Sequence, residues 1–150
     1  MISVMLLSGC NNSSRTDPAE NNNSLTIARD TVPKIKTETV PDEHGCLTTT
    51  GETWSIVRKS CIRLADIGIK MEPQDPALDK TKVAFLVFTD DKLRVEIFLP
   101  TQKNTVIIRR SSAEGEPGRW ANGPLSLSES NGTYSLGDEG KLLYQGTTGK

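Results

Sequence analysis

The sequence predicts a mainly β protein: a small antiparallel sheet or barrel with one short helix and one disulfide. Three observations carry that expectation. From Val83 to Leu99 apolar residues either run continuously or alternate with charged ones, the period of strands. From there to the end, turn-forming clusters arrive about every 8–12 residues, the spacing of sequential hairpins. The third observation is the pair Cys46 and Cys61, which can brace a domain confined to residues 45–150.

The domain opens with Gly45 to Arg63. Thr53 is an N-cap residue type, and Trp54, Val57 and Cys61 fall at i, i+3 and i+7, so a short helix is predicted here with those three on one face. Trp54 is then expected in the core beside the bridge rather than as a ligand platform. Arg58, Lys59 and Arg63 fall near that helix's end, where they complement its dipole. Ile62-Arg63-Leu64 and Ile67 to Met71 alternate within themselves, but the phase slips at Ala65-Asp66, as at a β-bulge. Pro73 and Pro76 enforce a loop.

Val83 to Phe88 is nearly continuous apolar and reads as a central strand. Thr89 to Lys92 is a turn. Leu93, Val95, Ile97 and Leu99 then alternate with Arg94, Glu96 and Phe98, a half-buried strand. Pro100 to Asn104 is a loop and Thr105 to Arg110 the next strand. Glu114 to Gly118 breaks the chain, and Trp120, Leu125, Leu127, Tyr134, Leu136, Leu142 and Tyr144 mark shorter strands. Ser130-Asn131-Gly132 and Gly137-Asp138-Glu139-Gly140 are their turns.

Ahead of this domain, Val4-Met5-Leu6-Leu7 is a short apolar run that closes on Ser8-Gly9-Cys10. This resembles the lipobox of bacterial lipoproteins, in which a signal peptidase cuts before the cysteine and its sulfur receives a diacylglycerol. The resemblance implies a signal peptide at 1–9 and lipidation at Cys10. Residues 10–44 are rich in Asn and Ser, are interrupted by Pro18, Pro33 and Pro41, and sustain no apolar period, so they read as a disordered tether. A flexible chain of that length spans roughly 30–35 Å. Two or more acyl chains hold a protein stably at a bilayer, since each buried methylene contributes about 0.8 kcal/mol. The expected address is the bacterial cell envelope. Asn11 replaces the aspartate that retains some lipoproteins at the inner membrane, so the outer membrane is favoured.

With Cys10 assigned to lipid, Cys46 and Cys61 form an even pair in an oxidising compartment. A metal reading of the cysteines lacks ligands, because His44 is the single histidine. The Gly-x-x-Trp…Cys-Ile-Arg pattern around them resembles a cysteine box of small envelope lipoproteins.

Chemistry-bearing motifs are sparse. A net charge of −1 argues against a nucleic-acid partner, which calls for a basic excess. A Ser-His-Asp arrangement would have to use His44, which stands at the tether boundary with nothing to hold it rigid. Asp90-Asp91 reads as a solvated pair in a turn, and no Gly-rich phosphate loop precedes a helix. The expectation is a protein with no cofactor that binds a protein or an envelope polymer without catalysis. A structural or assembly lipoprotein is the alternative.

One resemblance narrows the ligand. Ser111-Ser112-Ala113-Glu114-Gly115, Arg119-Trp120-Ala121-Asn122-Gly123 and Tyr134 to Leu142 resemble the end of the membrane-bound inhibitors of C-type lysozyme, lipoproteins with a small antiparallel β-barrel. That likeness implies a binding surface with Ser111 or Ser112 and Tyr134, in which Lys141 substitutes for the family's lysine only if the local register differs. Leu136 stands where the family places the lysine that meets the enzyme's catalytic carboxylates, and a leucine offers no charge to pair with them.

Overall fold

The computed structural model describes residues 39–149, so the predicted signal, the lipidation site Cys10 and most of the predicted tether lie outside the described residues. Ten strands follow one another: β1 (Glu52–Ser55), β2 (Ser60–Arg63), β3 (Ile69–Pro73), β4 (Ala84–Phe88), β5 (Arg94–Phe98), β6 (Val106–Arg110), β7 (Arg119–Asn122), β8 (Leu125–Ser130), β9 (Thr133–Asp138) and β10 (Lys141–Thr147). Strands β3 to β10 close into an antiparallel barrel in sequence order, with β10 returning to pair with β3. Strands β1 and β2 form a separate hairpin. The chain is mainly β and its barrel is built from consecutive hairpins, as the turn spacing predicts.

Alternation sets the interior. Met71, Leu86, Ile97, Ile108, Leu127 and Leu136 point inward from six strands and are almost wholly excluded from solvent. An eight-stranded barrel is just wide enough for side chains to fill, so this interior is a packed core and not a cup. One end is closed by Phe88, Trp120 and Tyr134, whose ring centroids lie 5.2–6.2 Å apart. The Trp120 indole N–H donates to the Lys92 carbonyl at 2.8 Å, which satisfies its one polar atom.

Turn chemistry fixes the register. Asn131-Gly132 and Glu139-Gly140 both have positive φ at each residue, the two-residue turn whose twist matches that of its flanking strands. Closure demands one glycine in particular. A Cβ on Gly146 would stand 2.1 Å from the Lys70 carbonyl oxygen and 2.7 Å from the Met71 sulfur, so β10 reaches β3 only because that position is bare. Strand β10 also slips register between Leu142 and Tyr144, and the Leu143 carbonyl accepts from the amides of Gln74 and Asp75.

Two local expectations are corrected. The predicted helix from Thr53 to Cys61 is the β1–β2 hairpin, with Trp54 registered opposite Cys61. A pattern of nine residues repays little of a helix's nucleation cost, and Thr53, Ile56, Val57 and Ile62 are β-branched. The predicted bulge at Ala65-Asp66 is instead a single helical turn, α1 (Leu64–Ile67), closed by the Gly68 amide on the Leu64 carbonyl at 2.9 Å. This turn and a 3-10 turn at Thr48–Thr50 are the helical elements among the described residues. Gly68 packs so near Phe85 that a Cβ would come within 3.1 Å of its ring.

Candidate functional site

The outside of the barrel is not uniformly solvated. Inward Leu86, Phe88, Val95 and Ile97 leave Phe85, Val87, Glu96 and Phe98 on the outer face of β4 and β5, where Val87 pairs with Glu96 and Phe85 with Phe98. Val87 is nonetheless 1% exposed and Glu96 0%. The hairpin accounts for this, since its Ser55 and Val57 hydrogen-bond Glu96 and the segment's Ile62 is buried as well.

Glu96 is the polar centre of that contact. The Ser55 hydroxyl donates to Oε2 at 2.7 Å and the Val57 amide donates to the same oxygen at 3.3 Å. The Thr105 hydroxyl donates to Oε1 at 2.7 Å. Each carboxyl oxygen thus has its own partner, which a buried acid requires. Among the described residues no buried side-chain nitrogen or oxygen lacks a hydrogen-bond partner.

The segment before the hairpin is tied down twice. Cys46, fully buried, is bridged to Cys61 with a Cα–Cα separation of 5.5 Å, so the predicted disulfide is present. Asp42 turns the chain by accepting the amides of His44 at 2.9 Å and Cys46 at 2.8 Å through Oδ1. His44 is thereby held, contrary to the expectation that nothing steadies it, and its ring stacks on Trp54 with centroids 4.7 Å apart and planes 15° from parallel. Trp54 is half-buried and lies outside the barrel core, contrary to its expected place.

These elements leave an open groove of about 510 Å³. One wall is Asp42 to His44 with Thr53, Trp54 and Ile56; the other is Phe98, Leu99 and the β5–β6 loop from Gln102 to Thr105. Ile56 is 52% exposed in it. Glu96 holds both walls, the hairpin through Ser55 and the loop through Thr105. The groove is therefore positioned by a buried acid that contributes nothing to its surface.

The residues singled out in the C-terminal third are dispersed. Ser111 and Ser112 follow β6, at the end of the barrel opposite Thr105, about one strand length of 17 Å away. The Ser112 hydroxyl accepts from the Arg119 amide at 3.1 Å and from Arg110 Nε at 3.2 Å. With Asp91, Leu93, Arg110 and Glu114 it lines a second open cavity of about 390 Å³. Tyr134 lies toward that same end but is 3% exposed, within the aromatic cluster. Burial raises its phenol's pKa above the ordinary value, as does the nearby Glu129 carboxylate to a smaller degree.

Lys141 begins β10 at the other end, opposite Asp138. Its ammonium lies 2.5 Å from the carboxylate of Asp75, whose side chain is 8% exposed. The structure does not bring the serines and this lysine together. Leu136 is fully buried in the barrel core.

Other charges that the sequence singles out are placed by the fold. Arg58 pairs with Asp90, tying the hairpin turn to the β4–β5 turn, and Lys59 holds a positive φ in its own turn instead of capping a helix. Asp91 accepts from the Thr89 hydroxyl and the Leu93 amide, and these bonds lower its pKa. Among the described residues no group of three or more His, Cys, Asp or Glu is placed to hold a metal ion, and no helix is long and apolar enough to cross a membrane.

Glu96 and the β5–β6 loop are the candidate-site positions that periodicity does not single out. A signal existed: a run as continuously apolar as Val83 to Phe88 implies that both faces of β4 are covered, and Glu96 neighbours Val87 on the outer one. Comparison of the chain with protein-family models, with curated proteins and with solved structures gives no match.

Proposed function

We propose that this chain is a lipid-anchored protein of the bacterial envelope and, by its groove, a non-catalytic module that binds a ligand between the disulfide hairpin and the β5–β6 loop. The observation that carries this reading is the double hold of Glu96 on both walls. A chance surface depression needs no shared buried acid, whereas a binding site gains affinity when its walls are preorganised. The lipobox-like Leu7 to Cys10 and the polar segment behind it support the address. A paired Cys46–Cys61 suits an oxidising compartment.

The test is site-specific photocrosslinking in cells that make the full chain. A photoreactive residue at Gln102, on the groove rim, is expected to yield a discrete adduct with an envelope component. The same residue at the exposed Ser126 on β8 is expected to yield none. Equal labelling at both positions, or none at Gln102, overturns the groove as the binding site. Cys10→Ser is expected to move the protein from the membrane fraction to the soluble one, and unchanged fractionation overturns the anchor.

C-type lysozyme is the protein ligand suggested by the C-terminal motifs. On this reading Ser111 and Ser112 would have to engage it without Lys141, which is held by Asp75 at the far end. Undiminished lytic activity at excess protein removes that ligand while leaving the groove untouched.

A further inference from the structure

The chemistry of the groove narrows its ligand further. Its lining holds two carboxylates, Asp42 and Glu43, and one ammonium, Lys103, and one Asp42 oxygen is already occupied by two backbone amides. A polyanion would find a single lysine against two carboxylates, and a polycation would find that lysine beside them, with Glu43 on an 89% exposed side chain where water screens its attraction. An acyl chain needs an enclosed apolar cavity, but this groove is open and rimmed by amides and hydroxyls. What remains is a flat, partly exposed aromatic wall, Trp54 stacked on His44, facing the uncharged side chains of Gln102 and Asn104.

From this we infer that the groove takes a neutral glycan chain. A pyranose ring has an apolar C–H face, which suits the electron-rich face of an indole, and a rim of hydroxyls that amide side chains can both donate to and accept from. The stacked imidazole steadies the indole, so little side-chain entropy is lost on contact. The inference rests on the binding-module reading above and specifies its ligand class. An extended peptide is the competing occupant. It would draw its affinity from main-chain pairing with an open sheet edge, which closure denies it along the barrel strands and which only the four-residue strands β1 and β2 of the hairpin leave to it.

The experiment is titration of the full chain with three neutral tetrasaccharides, of β-1,4-linked N-acetylglucosamine, β-1,4-linked glucose and α-linked mannose, followed by tryptophan emission. A cationic glucosamine tetramer and an anionic galacturonate tetramer serve as charged probes. Trp120 is 2% exposed, so a saturable change on binding is expected to report Trp54. At least one neutral tetramer is expected to bind. Gln102→Ala is expected to weaken it about tenfold, as loss of one hydrogen bond does. Trp54→Ala should abolish it, Trp54→Phe should retain most of it, and Ser126→Ala should leave it unchanged.

Gln102 is exposed, so its variant keeps the test decisive even where Trp54→Ala fails to fold. Binding of only a charged tetramer overturns the neutral class. So does no response to any neutral tetramer up to about 10 mM, where even weak ligands register. If the Gln102 adduct in cells persists under that result and proves to be peptide, the module reading stands and the glycan inference fails. If that adduct is also missing, both fail.

Discussion

Replacing Glu96 with alanine should undock the hairpin without opening the barrel. The substitution strips acceptors from the Ser55 and Thr105 hydroxyls, each bonded at 2.7 Å, and from the Val57 amide at 3.3 Å. A buried donor left without a partner costs about 1–3 kcal/mol. The Val57 amide is only part-buried and its bond is long, so water can replace that acceptor. The buried Ser55 hydroxyl, the part-buried Thr105 hydroxyl and the emptied space therefore set the cost, about 2–4 kcal/mol. It cannot exceed the free energy of docking, because beyond that the hairpin swings away and its donors meet water.

Glu96→Gln should cost much less, on the order of 1 kcal/mol. Its carbonyl oxygen can occupy the Oε2 position and serve Ser55 and Val57, while its amide nitrogen faces Thr105, whose hydroxyl rotates to accept. Urea unfolding gives the stabilities, and hydrogen exchange at residues 52–63 against β8 and β9 reports where the loss falls. A loss below about 1 kcal/mol in Glu96→Ala refutes the reasoning, as does a glutamine variant as unstable as the alanine one. Exchange accelerated equally in barrel and hairpin would also refute it.

Other outcomes follow from the same structure. Cys46→Ser with Cys61→Ser removes a cross-link of 15-residue separation, with an expected loss of about 3 kcal/mol by the chain-entropy relation, read as a lower urea midpoint. Gly146→Ala drives a methyl into the Lys70 carbonyl, so it should cost about 3 kcal/mol or more and cluster its damage on the β10–β3 seam in hydrogen exchange. The hydrogen bond from Lys141, then the Ala77 amide, holds the Asp75 carboxyl below its ordinary value of 3.8. The folded chain thus takes up that proton less readily than the unfolded one. The contribution is complete above 3.8 and is lost as the pH falls through and below it. Asp79 and Asp91 act in the same direction. Asp75→Asn should flatten the acid limb of a stability–pH profile, and an unaltered limb would refute the Asp75 share.

Strand positions were legible because alternation is a local property. Val95 and Ile97 face the core in the phase that Leu93 to Leu99 displays, and Asn131-Gly132 and Glu139-Gly140 turn where their residue types place them. The pairing of Cys46 with Cys61 was legible from parity. The hairpin was not. Over so few residues, Trp54, Val57 and Cys61 fit a helical face as well as a strand's spacing, and what decided between them was an outer sheet face that offered Val87 and Glu96 as partners.

The sequence by itself determined the class of fold and the order of the barrel strands, which follow from neighbours within a few residues, and the bridge, which follows from cysteine parity. Only the tertiary structure decided which outward positions are covered. Ser55 and Glu96 stand 41 residues apart, and nothing near either announces the other. The groove, its stacked aromatic wall and the separation of Ser112 from Lys141 all depend on such distant contacts. A period can assign a side chain to one face of a sheet, but what packs on that face is set by the closure of the whole chain.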